Sequence, residues 1–424
     1  MFRNRAIVGA VEFGSSGICV LLGESLPEGT LSVIGKGEAP AAGITKGEID
    51  SLDTVFDHLG KALNDADIMS GGELNNCSRL VVPISGCDIK SCQGKGAVTI
   101  DSEDGRVTEA DRWKAHQNAR VCRLETGRGI LNSSESFFYI DDGLKRREPI
   151  GQAADKLEAV VHIVHGVINR MENFRQILHN SGCEEHIEMV FSPMAAAQGV
   201  LAKEERENGV LLIDLGAGVT DYLLEFDRGI LASGQLQVGM MHVVNDLALG
   251  LELPQDMCSR MLTDGTISAA IRDKKEFIDV PASYGKVTRI PVASFETIID
   301  LRLRELLEII RSSIEPECLG LINSGVVLTG GGASFDVAQK ITKEVFQSTV
   351  RVGRPVEAVG VVTDLADPRY SAVWGALKIA DFYQRCSDDD NGGAGAAEGI
   401  SPAGNTPVRG DEKTKDAVIQ QQIL

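Results

Sequence analysis

No run of uninterrupted apolar residues in the 424-residue chain approaches the roughly 20 that a membrane-spanning helix needs, so no segment reads as transmembrane. A secretory leader is not expected either. Met1 to Arg5 is basic, but the apolar run behind it, Ala6 to Val11, is short and ends on Glu12. Positive charge is scarce. The formal net charge of −19 leaves no broad positive field of the kind nucleic-acid phosphates require, so nucleic acid is not expected among the partners. Cysteine is present without a pattern. The nine cysteines are scattered, the nearest pair (Cys87 and Cys92) has no second pair after it, and no histidine cluster lies beside it. That arrangement speaks against a zinc or redox centre and suits reduced thiols in a cytosol.

The apolar fraction of 43% is sufficient for sizeable cores, and the length predicts two to four domains at about 100–200 residues each. The chain opens as strand, turn, strand: Ala6 to Val11 and Ile18 to Leu22 are apolar, with turn chemistry at Gly14 to Gly17 between them. A third strand is expected from Leu31 to Gly35, a helix from Leu52 to Met69 on the spacing Val55, Phe56, Leu59, Leu63, and a strand from Arg79 to Ile84. From Ser85 to Val164 the texture changes to strands around one polar helix after Thr108. Thr108 and Asp111 form an approximate capping box there. A helix from Val167 to His179 and a strand around Met189 follow. The charged stretch Leu201 to Glu207 marks the main boundary, after which a second strand–turn–strand starts at Val210. Helices are expected over Val243–Leu249, Phe295–Ser313, up to Phe346, and Ser371–Gln384, with a buried strand Val326–Thr329. From about Ser387 the Asp, Gly, Ala, Ser and Pro content predicts a flexible tail.

The informative feature is an internal repeat. Ile7 to Gly17 and Leu211 to Asp221 each give an apolar strand, an acid, one apolar residue, a glycine and small residues, then a second apolar strand. In the first copy the turn carries Glu12, Gly14, Ser15 and Ser16. In the second it carries Asp214, Gly216, Ala217, Gly218, Thr220 and Asp221. Tight glycine turns let backbone N–H groups point at an anion, and Ser15, Ser16 and Thr220 would add hydroxyl donors. An acid repels phosphate but suits a magnesium ion held directly or through water, which makes Glu12 and Asp214 the candidate metal residues. Two such loops facing one another would clamp a nucleotide. Gly330, Gly331 and Gly332, between a buried strand and a helix, fit the nucleoside side of the same cleft. No catalytic acid is identified beyond these loops.

The three glycine motifs, in this order, resemble the actin-like ATPases, and further segments resemble the FtsA family of bacterial cell-division proteins. Those segments are Gly9–Ser16 followed by Val20–Glu24, the Gly43-Ile44-Thr45-Lys46-Gly47 element, Ser85–Gln93, Val326–Gly332 and Val350–Pro355. The resemblance spans Ile7 to about Ala380. It implies an α/β, actin-like ATPase fold of duplicated ribonuclease-H-like domains with an inserted α+β subdomain. The expected division is 1–84 with 166–202 as the core of the first lobe, 85–165 as the insert, 203–385 as the second lobe and 386–424 as the tail. It implies ATP and Mg as cofactors, at most slow ATP hydrolysis, and self-association into filaments. It also implies binding of the FtsZ C-terminal tail at positions matching Arg302 and Glu305, contacts with other division proteins, and a place at the cytoplasmic face of the inner membrane.

Three departures from the family pattern qualify this. Gly17 stands where many members carry a lysine. Cys258 and Met261 occupy the positions of a nucleoside-gripping Glu and Lys, with Arg260 one residue away. The segment Asp411 to Leu424 has a narrow apolar stripe and few lysines, and reads as a chain end rather than a membrane anchor. The alternatives are a PilM-like pilus-assembly scaffold and a sugar-kinase or phosphatase relative on the same fold.

Overall fold

The computed structural model describes residues 5–26, 30–141, 143–183, 186–281, 287–356, 359–360 and 364–391. Two lobes repeat one topology. In the first, strand Ala6–Phe13 pairs antiparallel with Gly17–Ser25, which pairs antiparallel with Leu31–Pro40. On its other side Ala6–Phe13 pairs parallel with Cys77–Ile84, and that strand with Ile187–Phe191. In the second lobe Val210–Leu215, Thr220–Phe226 and Gly229–Leu236 form the same antiparallel meander, and Val326–Thr329 and Val350–Val352 add the same two parallel strands. The expected α/β duplication is therefore present strand for strand. Strands buried on both faces account for the near-continuous apolar runs that made the repeat visible.

Residues 90–167 hold an α+β unit with a sheet of its own. Strands Lys90–Thr99, Lys156–Val167, Arg128–Ile140 and Leu144–Arg146 make one antiparallel sheet, in that spatial order. Helix Glu109–Arg120 covers it. The helix begins at the capping box read from sequence: Thr108 Oγ1 accepts the Asp111 N–H at 3.2 Å, and Asp111 Oδ2 accepts the Thr108 N–H at 2.9 Å. The unit has its own core, built on Phe138, Leu157, Ala159, Val161 and Ile163.

Two expectations need correction. The last helix runs from Ser371 to Asn391, past both Gln384 and the expected start of the tail, because no glycine or proline occurs between Gln384 and Gly392. That helix also packs on the first lobe, although the sequence division placed 203–385 in the second. Tyr370, Val373, Trp374, Leu377 and Ala380 belong to the first-lobe core, and Val359–Gly360 joins the first-lobe sheet beside Leu31–Pro40. Close approach of small residues permits this docking. A Cβ on Gly375 would overlap the Ala195 carbonyl of helix Ser192–Val200. Arg351 secures the crossing between lobes. Its guanidinium binds both Glu205 oxygens at 2.6 Å and the Val200 carbonyl at 2.9 Å.

Candidate functional site

The two hairpins meet tip to tip between the lobes. In the first, the Gly14 N–H donates to the Gly17 carbonyl at 2.9 Å and the Gly17 N–H returns to Gly14 at 3.3 Å, which leaves Ser15 and Ser16 at the apex. In the second, the carbonyls of Gly216 and Ala217 accept the N–H groups of Met240 (3.0 Å) and Met241 (2.8 Å). The positive end of helix Met240–Leu251 thereby supports the turn. A Cβ on Gly218 would collide with Ser15 Oγ and stand 2.9 Å from the Lys46 Cα, so the apices touch. Gly330 (φ 78°) closes the third side, because any side chain there would collide with Asp214 Oδ1. Gly332 packs on Leu215 and Met240, while Gly331 faces open space.

Three acids converge on this point. Asp214 stands directly opposite Asp221 in the hairpin register. Glu12 lies across the cleft and accepts the Val373 N–H. Glu12 and Asp214 keep some exposure to the cleft, yet the protein around them is dense enough to oppose ionisation. Burial, followed by repulsion from Asp214, raises Glu12 to about 8. Burial, followed by repulsion from Asp221, raises Asp214 to about 7. Burial raises Asp221 to about 6, with hydrogen bonds from Ser85 and Gln235 acting in the opposite direction. A cluster of acids that resist ionisation in each other's presence is relieved by a cation. No three ligating side chains stand close enough to enclose a metal among the described residues. An ion held here would take one or two carboxylates and otherwise water and phosphate oxygens, which is the usual habit of magnesium.

Other candidates fall elsewhere. Thr220 shares the hairpin, but its fully buried hydroxyl donates to the Val238 carbonyl at 2.8 Å and is not offered to the cleft. Cys258 and Met261 are buried in the second-lobe core. Arg260 does not replace the missing lysine, since it folds back on Asp256 at 3.1 Å and is largely exposed. Two residues outside the hairpin motifs, without a signal in them, brace hairpin side chains. Gly47 donates its N–H to Ser15 Oγ at 2.9 Å, and Ser85 Oγ donates to Asp221.

Arg302 and Glu305 are not in this cleft. They line a groove of about 560 Å³ between helices Met240–Leu251 and Val292–Ser313, together with Asp246, Leu249, Ile298 and Leu301. Leu249 and Leu301 are exposed, at 80% and 64%. Arg302 is fixed by Asp246 through Nε (2.5 Å) and Nη2 (3.1 Å) and by Glu305 through Nη1 (2.6 Å). The groove thus sets Leu249, Ile298 and Leu301 among the charged Asp246, Arg302, Arg304, Glu305 and Glu308. The segment 411–424 lies outside the described residues.

Comparison with known proteins agrees with the two-lobed plan and its insert. The family model described as cell division protein FtsA matches residues 211–375, and that of the SHS2 domain inserted in FtsA matches residues 86–165. Cell division protein FtsA of Neisseria meningitidis serogroup B is 27% identical over 384 residues, covering 90% of this chain and 91% of that protein. The protein of the same name from Escherichia coli K12 is 26% identical over 387 residues, covering 88% and 90%. Among solved structures, the PilM-PilN type IV pilus biogenesis complex aligns with a TM-score of 0.57 at 14% identity, covering 89% of this chain and 98% of that one. MreB5 of Spiroplasma citri bound to AMPPNP aligns at 0.53 and 14%, covering 92% and 100%. The last two likenesses are of fold.

Proposed function

Since the chain belongs to the FtsA family of cell-division proteins, we propose that it acts as an actin-like adaptor at the division site. In this reading it binds the C-terminal tail of FtsZ, assembles into filaments with bound ATP and joins the division ring to the cytoplasmic membrane. The observation that carries the nucleotide part is the meeting of the two hairpin tips, Ser15 against Gly218, with Glu12 and Asp214 facing one another behind them. In this reading Ser15, Ser16, Ala217 and Gly218 would present backbone N–H groups to phosphates, Gly330 to Gly332 would border the nucleoside, and Glu12 and Asp214 would hold magnesium through water. Magnesium would neutralise the phosphates and the paired acids together. With Cys258 and Met261 buried and Arg260 turned away, the nucleoside side has few polar grips. Weak binding follows.

The groove at Arg302 is the proposed FtsZ-tail site, with Leu249 and Leu301 as apolar anchors and Arg302 as the charged contact. No helix among the described residues is long and apolar enough to cross a membrane. Attachment at the inner membrane's cytoplasmic face would then be peripheral, through other division proteins or through many weak contacts along a filament. The test is fluorescence anisotropy with a peptide of the FtsZ C-terminus from the same organism. The wild type is expected to bind, and Arg302→Glu to weaken binding by about tenfold or more, with an unchanged circular dichroism spectrum. A wild type that ignores the peptide refutes the adaptor reading.

A further inference from the structure

Ser85 and Gly86, where the chain leaves the first lobe for the inserted subdomain, are gripped from both sides of the cleft. On the first-lobe side they cross Gly47 so closely that a Cβ there would stand 2.8 Å from the Ser85 carbonyl oxygen. Gly47 (φ 70°) and Gly86 (φ 82°) both use the left-handed backbone that the crossing requires. Gly47 in turn holds Ser15 at the tip of the first hairpin. On the second-lobe side Ser85 Oγ donates to Asp221 Oδ2. Gln235 Nε2 donates to Asp221 Oδ1 at 2.8 Å and to Ser85 Oγ at 3.3 Å. Asp221 faces Asp214. One unbroken line of contacts therefore runs from the first hairpin tip, through the opening residues of the insert, to the acid pair of the second hairpin.

The remainder of the insert rests on edge strand Gly229–Leu236 through polar contacts. Ser91 Oγ donates to the Ser233 carbonyl at 2.6 Å, Ser136 Oγ to Ile230 at 2.7 Å and Arg147 Nη2 to Arg228 at 2.6 Å, while His162 Nε2 meets Ser233 Oγ at 2.7 Å. The insert's own apolar core includes no second-lobe residue, and Ile89 and Val164 at its base join the first-lobe cluster that Ile230 also enters. His162 Nδ1 and Gln235 Oε1 are buried without a hydrogen-bond partner among the described residues. A polar, incompletely satisfied seat of this kind permits relative motion more readily than an interdigitated apolar one.

We infer that occupancy of the cleft sets the position of the inserted subdomain, and that the Ser85–Asp221 contact transmits it. The inference rests on the nucleotide reading above. A divalent cation beside Asp214 changes the field at Asp221, and a phosphate between Ser15 and Gly218 separates the tips. Both ends of the line that holds Ser85 are displaced, so the two positions of the insert differ in their affinity for the ligand.

The experiment is hydrogen–deuterium exchange on the full chain with and without Mg-ATP, with calorimetry run in parallel. In the wild type, exchange across Lys90–Thr99 and Gly229–Leu236 is expected to change by about fivefold or more on binding. In Ser85→Ala the ligand still binds but the change falls to about twofold or less. Ser85→Thr, which keeps the hydroxyl, retains it, as does Ser136→Ala, which loosens the same seat away from the hairpins. Gln235→Ala weakens the same junction and serves if Ser85→Ala does not fold. Calorimetric binding with no change in exchange across the insert overturns the inference and leaves the nucleotide reading standing, as does a full response in Ser85→Ala. Absence of binding in the calorimeter overturns both.

Discussion

Asp214 is a group whose ionisation the folded protein resists and the proposed ligand needs, so Asp214→Asn should move stability and ligand binding in opposite directions. Burial and the facing Asp221 raise Asp214 from 3.8 to about 7. Between those values the folded state holds a proton that the unfolded chain has released. Stability therefore falls as pH rises, by up to about 1.4 kcal/mol per pH unit, and levels off above pH 7. Asparagine keeps the shape and removes the titration. The advantage of Asp214→Asn over wild type without ligand should grow by about 2 kcal/mol between pH 5 and pH 7, widening the gap in Tm by about 4–8 °C. Asp221 and Glu12 titrate in both proteins. Loss of the Asp214 charge eases the ionisation of Glu12, which adds to the effect in the same direction. With Mg-ATP the order should reverse, since the wild type gains a metal ligand that the variant lacks. Thermal melts from pH 5 to pH 8, with and without Mg-ATP, read both effects. A gap that stays flat with pH, or a ligand-free wild type more stable than the variant at pH 8, refutes the idea of a carboxylate held against ionisation for a cation.

Gly218→Ala places a methyl group against Ser15 and the Lys46 backbone, and the backbone cannot swing aside. A loss of about 1–3 kcal/mol in denaturant melts is expected, with ATP affinity reduced as the tips are forced apart. Arg351→Ala removes a two-pronged contact with Glu205 and the last carbonyl of helix Ser192–Val200. Its partly exposed setting limits the cost to about 1 kcal/mol at neutral pH. Burial raises the Glu205 carboxyl, but the Arg351 guanidinium, the Ala202 N–H and the charge of Arg206 together hold it below the usual range. This contribution is present above the ordinary glutamate range and is lost as pH falls below it. Wild type and Arg351→Ala should converge in acid melts.

The parts of this fold that were legible from sequence are those in which a local pattern has one physical meaning. Apolar runs broken by Gly14–Gly17 and Gly216–Gly218 can be little other than strand–turn–strand, and Thr108 with Asp111 marked a helix start that the structure keeps. Long-range docking left no comparable trace. Ser371 to Tyr383 is an apolar helix wherever it packs, and it is held on the first lobe by the small-residue contacts of Gly375 with Ala195 and Gly199 with Ser371, with Lys36 donating to the Tyr370 hydroxyl and Ser78 to Gln384. Thr220 shows the opposite failure. Its type and spacing suit a phosphate donor, yet the pleat turns it into the core, where the Val238 carbonyl takes its hydroxyl. Ser85, at the end of a strand, carries no local signal because its partner is 136 residues away.

The repeat suggested two equivalent acids, and the structure makes them unequal. In the first hairpin Glu12 stands opposite Cys19, a buried thiol. In the second Asp214 stands opposite Asp221, so the cross-strand pair is acid on acid, an arrangement that is unfavourable without a counter-charge. The strand pairing alone therefore puts more negative charge on the second lobe's side of the cleft. A cation that binds in water-mediated fashion gains most beside Asp214, which has Asp221 opposite it in the sheet and Glu12 across the cleft. Glu12 is already partly served by the Val373 N–H, in the first turn of the helix that returns from the second lobe. Under the nucleotide reading the first hairpin mainly shapes the phosphate pocket, and the second supplies the field that keeps its metal. Ser85, anchored to Asp221, sits on the side where that field changes most.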